Sequence, residues 1–133
     1  MKKKSYIPEN NPHKQNTGLR RLFLAFVNSI SGFNFAIKEE SAFRQELLLC
    51  LFLVPLIFIF PTSPIEKILM IGSLLLLLIV ELLNSSIEAA IDRISFSHHD
   101  LSKRAKDFGS AAVLVALSLV VITYLTVLTK FLI

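Results

Sequence analysis

Long apolar runs alternate with short polar segments along most of this 133-residue chain. The uncharged runs lie at 47–60, 68–80 and 108–129. A membrane-spanning helix needs about 20 predominantly apolar residues. The third run has that length, and the first two approach it when apolar residues beyond their charged ends are included. The pattern therefore predicts an all-α integral membrane protein with three transmembrane helices, at about 43–60, 65–92 and 105–129.

A different periodicity precedes these runs. Between residues 18 and 40, apolar side chains recur at spacings of three and four, and polar or basic ones fall largely between them. A basic, Phe-rich amphipathic helix suits the bilayer interface, so we predict an interfacial helix at about 18–40. A surface helix packed on a protein core is the alternative. Residues 1–17 are polar and basic, which predicts a disordered tail rather than a secretory signal peptide, followed by one membrane domain at 18–133.

Composition and charge agree with a membrane location. Hydrophobic residues make up 53% of the chain, more than a soluble domain of this size can bury. The single cysteine, Cys50, lies inside an apolar run, so there is no disulfide framework. Basic residues concentrate before the first span and between the second and third. Nucleic-acid binding is one reading of a basic segment, but the positive-inside rule explains this distribution better and predicts a cytoplasmic amino terminus.

Acidic and amide side chains leave the end of the second span on one helical face. They are Glu81, Asn84, Glu88 and Asp92. At about 100° per residue, these side chains fall within a stripe roughly 80° wide. Charge at this depth is costly and is usually functional. A hard divalent cation, which prefers oxygen ligands, would relieve the repulsion between carboxylates; the alternative is a helix end that simply meets water.

The predicted topology brings more charge to the same interface, from Glu40, Glu46 and the segment 103–107. Carboxylates for a divalent ion and cations for phosphate are the parts that phosphoryl transfer uses. A carboxylate desolvated near the hydrocarbon boundary also becomes a better base. The sequence has no Walker motif, no glycine loop of protein kinases and no Cys/His cluster. The residues alone therefore predict an interfacial, metal-dependent site without naming its substrate.

Small residues at 109–112 and 116 favour close helix packing. Three helices alone make a thin bundle, which favours oligomerisation.

Three motifs in order resemble the prokaryotic diacylglycerol kinase family, the small three-span integral membrane lipid kinases. They occupy 40–46 (ESAFRQE), 81–93 (ELLNSSIEAAIDR) and 105–113 (AKDFGSAAV), and the likeness covers about residues 18–130. It implies a bacterial inner-membrane enzyme that transfers the γ-phosphate of ATP to diacylglycerol, giving phosphatidic acid. It also implies Mg²⁺ as cofactor and a homotrimer with composite sites at subunit interfaces.

The resemblance assigns residue roles as well. Glu81 is the expected general base, and Asn84 is expected to orient Glu81 or the lipid headgroup. Glu40 and Glu88 are the expected magnesium ligands. The residues expected to bind ATP are Arg21, Asn28, Glu40, Glu88, His99, Lys106 and Asp107, of which Asn28 stands where the family pattern has an aromatic residue. The residues expected to bind the lipid substrate are Arg21, Arg44, Gln45, Glu46, Glu81 and Ser110.

Other readings compete with these assignments. Arg21 could serve only as an anionic-lipid anchor, and Lys106 and Asp107 could cap the third span, where an acid meets the helix dipole favourably. An undecaprenol kinase of the same superfamily would share the machinery and differ in its lipid. A small oligomeric transporter would use the acidic stripe as a proton or cation site. No nucleic-acid partner is expected.

Overall fold

The computed structural model describes residues 18–131, and the predicted tail at 1–17 lies outside them. The described chain forms four α-helices and a final 3₁₀ turn: α1 (Gly18–Glu39), α2 (Ser41–Ile59), α3 (Pro64–Ile94), α4 (Asp100–Leu128) and the turn Thr129–Phe131. No strand occurs between residues 18 and 131. Three helical segments are long and apolar enough to cross a membrane: α2, α3, and α4 with its turn. The predicted all-α class with three spans is confirmed.

The chain divides into two compact units, one ending at Phe35 and the other beginning at Ala36. Within the first unit, residues 18–35 of α1 carry large apolar side chains that are exposed, including Leu22, Phe23 and Phe26. Such a surface is suited to a lipid interface, and the interfacial location of α1 stays a prediction. The second unit holds the end of α1 and all of α2, α3 and α4.

One apolar stripe on each helix builds the core of the second unit. The buried residues of this core are Cys50 and Ile57 on α2, Met70, Leu74 and Leu77 on α3, and Ala116, Val120, Tyr124 and Val127 on α4. Spacings of three and four keep these residues on a single face of α3 and of α4, so the two helices pack along each other. Most other large apolar side chains are exposed, as expected where lipid or another subunit covers them.

A proline-rich turn separates α2 from α3. Thr62 is buried and its hydroxyl donates to the carbonyl of Ile57 at 3.3 Å, which closes the end of α2. Ser63 then caps α3: its hydroxyl accepts from the Glu66 N–H at 3.3 Å, and its own N–H donates to the Glu66 carboxylate at 2.8 Å. This reciprocal capping box, with Pro64 at the first helical position, fixes where α3 starts.

At the same end of the bundle, the 3₁₀ turn after α4 contacts the residues that precede and begin α3. The ammonium of Lys130 forms an ion pair with Glu66, and the rings of Phe60 and Phe131 lie 5.3 Å apart between centroids. The ion pair ties the turn after α4 to the start of α3, and the ring contact ties the same turn to the end of α2. Both contacts lie at the end of α3 opposite to the acidic stripe.

Candidate active site

Glu81 is the most deeply buried acidic residue of the stripe, with 2% of its surface exposed. It lies one helical turn after Leu77, on the face of α3 that packs in the core. Its carboxylate interacts electrostatically with those of Glu88 and Glu40, and with that of Glu46. No ion pair with Glu81 occurs among residues 18–131. Acidic groups gathered in this way repel one another unless a proton or a cation lies among them.

Asn84 connects Glu81 to the next turn of the stripe. Its side-chain amide N–H donates to Glu88 Oε1 at 3.3 Å, and the same amide lies close to the Glu81 carboxyl. The amide oxygen of Asn84 is buried, with no hydrogen-bond donor within the described residues. It points toward Gly109 of α4, where a Cβ atom would collide with it.

The break between α1 and α2 supplies another carboxylate. Glu40 is the half-buried residue between the two helices, and its backbone N–H donates to the Ala36 carbonyl at 3.0 Å. The guanidinium of Arg44 donates to the carbonyls of Ile37 and Lys38, at 3.1 Å each. These bonds satisfy carbonyls at the end of α1 that its own helix leaves free, so they hold the break, and with it Glu40, in place.

Glu46 lies between this break and the core. It is half-buried, and its Oε2 atom is buried without a hydrogen-bond partner among residues 18–131. Gln45 on α2 and Ser110 on α4 are exposed. A buried carboxylate oxygen without a donor is costly, which makes Glu46 a suitable acceptor for a hydroxyl or for a proton.

A cavity of about 450 Å³ opens at the Asp92 end of the stripe, between the end of α3 and the start of α4. Its charged and aromatic lining residues are Asp92, Phe96, His98, His99, Lys103, Lys106 and Asp107. The volume lies within the range typical of small-ligand sites. The structure therefore brings together three residues that the resemblance assigns to ATP binding, namely His99, Lys106 and Asp107.

Two ion pairs organise the charges of this cavity. Lys106 Nζ lies 2.6 Å from Asp92 Oδ1, which links α4 to α3. Lys103 Nζ lies 2.6 Å from Asp107 Oδ2, one turn apart on α4. His99 precedes α4, and its Nδ1 accepts from the Leu101 N–H at 3.2 Å, so the imidazole caps the helix.

Two predicted ATP-binding residues lie elsewhere in the chain. Arg21 and Asn28 are exposed on α1 within the first unit.

Two contacts between residues of the site were not predicted from the sequence. The i,i+4 spacing of Lys103 and Asp107 was a visible signal for their pairing. Nothing in the sequence indicated that Gly109 would face Asn84.

The donor atoms suit a magnesium ion even though they form no large cluster. Among the described residues, no group of three or more His, Cys, Asp or Glu side chains is placed to hold a metal. Mg²⁺ is typically bound by one or two protein carboxylates, with waters and substrate phosphates completing its shell. Glu88 and Glu40, which both interact electrostatically with Glu81, carry hard oxygen atoms of the kind that Mg²⁺ prefers.

Three helices long and apolar enough to cross a membrane, with acidic and basic groups gathered around a cavity at one end, define the class of a multi-pass membrane protein with a polar site. Residues 27–128 match the prokaryotic diacylglycerol kinase family. The chain belongs to that family, which is bacterial, and the assignment favours the lipid-kinase prediction over the transporter alternative.

Curated relatives agree with the assignment over most of the chain. A diacylglycerol kinase from Pseudomonas aeruginosa is 50% identical over 117 residues, which cover 88% of this chain and 95% of the relative. The diacylglycerol kinase of Haemophilus influenzae is 47% identical over 108 residues, 81% of this chain and 92% of the relative. That of Escherichia coli K12 is 45% identical over 108 residues, 81% and 88% of the two chains.

Proposed function

We propose that this protein is an ATP-dependent lipid kinase that phosphorylates diacylglycerol to phosphatidic acid at the cytoplasmic surface of a bacterial inner membrane. The observation that carries the proposal is the placement of Glu81. It is a buried carboxylate on the same helix as Asp92, whose partner Lys106 lines a cavity of ligand size. A base at the hydrocarbon boundary, about three helical turns along α3 from a polar cavity that Lys106 lines, suits an acceptor that stays in the bilayer and a donor that comes from water.

The proposed reaction is a single phosphoryl transfer. Glu81 takes the proton from the primary hydroxyl of diacylglycerol as its oxygen attacks the γ-phosphorus of ATP. The bond between that phosphorus and the β,γ-bridging oxygen breaks, and its electron pair leaves with ADP. Asn84 donates to Glu88 and lies close to Glu81, so it fixes the relative positions of these two carboxylates. The Glu81 carboxylate is buried and has no ion-pair partner among residues 18–131, which supports its role as the acceptor of that proton.

The proposed nucleotide site is the cavity at the start of α4. Lys106 neutralises phosphate charge, while Asp107 and His99 complete the polar lining. By the family resemblance, Arg21 and Asn28 of α1 also contact the nucleotide. Glu40 and Glu88 would hold Mg²⁺, which supplies charge neutralisation on the transferred phosphate.

The proposed lipid pocket lies on the side of α2. Glu46 offers its buried, unpartnered oxygen to the headgroup of the lipid. By resemblance, Arg21, Arg44, Gln45 and Ser110 line the same pocket. The bonds from Arg44 to the carbonyls of α1 give that side chain a structural role beside this one.

The proposed assembly is a homotrimer with the amino terminus in the cytoplasm. Basic residues before α2 and between α3 and α4 support this orientation. The exposed apolar faces of the three spans support association with further helices. Shared sites at subunit interfaces would follow from the family resemblance.

The test uses purified protein in lipid-doped detergent micelles with Mg²⁺ and γ-labelled ATP. Diacylglycerol and undecaprenol are supplied separately. We expect label in phosphatidic acid, and its loss in Glu81→Gln without loss of the assembled oligomer. Glu66→Gln makes the same chemical change at the other end of α3 and is expected to keep turnover.

Each other outcome has a defined meaning. Label mainly in undecaprenyl phosphate would replace the proposed substrate and keep the mechanism. Label in neither lipid, from a folded oligomer, would reject the kinase. Dissociation of the oligomer in Glu81→Gln would make Glu81 a structural residue.

A further inference from the structure

Gly109 of α4 is buried directly against the side chain of Asn84 on α3. A Cβ atom at position 109 would collide with the amide oxygen of Asn84 and would lie 3.2 Å from its Cγ. The three nearest heavy atoms all belong to the Asn84 side chain. By contrast, a Cβ atom at Gly72, inside the first half of α3, would meet nothing within 4 Å. Gly109 is therefore the place where a missing side chain leaves room for a polar group of the site.

We infer that Gly109 is a positioning residue for the phosphoryl transfer: the absence of its side chain sets the orientation of the Asn84 amide between Glu81 and Glu88. The inference rests on the proposed function. The atoms nearest to a Cβ at position 109 belong to Asn84, and none of those three belongs to the proposed base or to the proposed metal ligands. Gly109 acts through Asn84, and hence on the relative positions of the Glu81 and Glu88 carboxylates.

The hydrogen bonds of Asn84 explain why space decides its orientation. The amide N–H donates to Glu88 Oε1, whereas the amide oxygen is buried with no hydrogen-bond donor between residues 18 and 131. Because this oxygen accepts no hydrogen bond from the described residues, its position depends on the space around it. The room left by Gly109 accommodates that oxygen, and the opposite side of the amide consequently faces Glu88.

An added methyl group should displace this amide rather than the helices. The colliding atom is the far end of a side chain with two rotatable bonds. Separating α3 from α4 would instead disturb the buried contacts of Leu74, Leu77 and Ala116, which extend away from the site. Rotation of the amide is the smaller change, and it turns the N–H away from Glu88.

The first experiment compares Gly109→Ala with Gly72→Ala in the diacylglycerol assay. Both variants replace glycine by alanine inside a helix, so their changes in helix propensity match. We expect kcat to fall on the order of 100-fold in Gly109→Ala, because small misplacement of a catalytic group has effects of that size. The KM for ATP should change little, and Gly72→Ala should keep its kcat. Both should keep the assembled oligomer and the thermal midpoint.

The second experiment repeats Gly109→Ala in an Asn84→Ala background, where the colliding amide is absent. We expect no further fall in kcat there. An equal fall in both backgrounds would overturn the inference, since Gly109 would then act through something other than Asn84. So would a loss of assembly confined to Gly109→Ala, which would give the glycine a role in helix packing.

A third measurement does not depend on turnover. The side-chain amide ¹H–¹⁵N resonances of Asn84, assigned through their loss in Asn84→Ala, should shift in Gly109→Ala and not in Gly72→Ala. A shifted amide with unchanged kcat would reject a positioning role and leave the contact itself intact. If the wild-type protein phosphorylates no lipid, the proposed function fails and the positioning role fails with it, whereas an unshifted amide beside an active wild type overturns this inference alone.

Discussion

Lys106 and Asp92 join α4 to α3 across the cavity, with Nζ and Oδ1 2.6 Å apart. Both side chains are partly exposed to that cavity. An ion pair between partly exposed groups contributes modestly to stability. Its larger effect is to hold the Lys106 ammonium in one place before any anion arrives, beside the residues that the proposed function assigns to the nucleotide.

Lys106→Gln removes the cation that we place on the phosphates of ATP. We expect the KM for ATP to rise about tenfold or more, because hydrogen bonds to charged groups are among the stronger ones. Lys67→Gln, at the opposite end of the bundle, is the matched control. Steady-state kinetics with varied ATP checks the result, and an unchanged KM would restrict Lys106 to its structural tie with Asp92.

Glu88→Gln keeps the oxygen that accepts from Asn84 and removes the negative charge. We expect the Mg²⁺ concentration for half-maximal turnover to rise about tenfold or more, since even outer partners of a metal are worth that much. A magnesium titration at fixed ATP measures the change, and Glu66→Gln provides the same substitution far from the site. Identical titrations for the two variants would take Glu88 out of the metal site.

Phe96→Trp provides a direct reporter of nucleotide binding. The chain has no tryptophan, and Phe96 lines the cavity while 91% of its surface is exposed. The emission of this single tryptophan should change in a saturable way when ATP is added without lipid. Phe131→Trp, beside Phe60 at the other end of the bundle, should not respond. An equal response at both positions would indicate a nonspecific effect of ATP and count against the cavity as its site.

Glu66 and Lys130 should contribute to stability without affecting catalysis. Glu66→Gln and Lys130→Gln each break the ion pair between the start of α3 and the turn after α4. We expect a small drop in the thermal midpoint for each, no larger drop for the double variant than for the stronger single one, and unchanged turnover. Fully additive drops would show that the two side chains act independently.

The helical period was sufficient to predict the acidic stripe. Residues that share a face of one helix share it whatever the rest of the chain does, so the stripe from Glu81 to Asp92 followed from spacing alone. The three spans likewise followed from the length of the apolar runs, and the family from the motifs. These features are local to one element or one segment.

Contacts between elements could not be read in this way. The closeness of Glu40 to Glu81 depends on the break between α1 and α2, which Arg44 holds through the carbonyls of Ile37 and Lys38. The contact between Gly109 and Asn84 depends on how α4 is rotated against α3. That rotation is set by the packing of the whole core, and no single spacing encodes it.

The two ends of the α3–α4 pair carry the same arrangement, an acid on α3 and a base from α4 or the turn after it. The alignment of the two helices along their axes is therefore specified twice, at opposite surfaces of the membrane. A slip of one turn, about 5.4 Å, would separate both pairs at once. The alignment of α3 with α4 around Glu81 is consequently held at both ends, so that loss of the pair between Glu66 and Lys130 leaves the pair between Asp92 and Lys106 to maintain it.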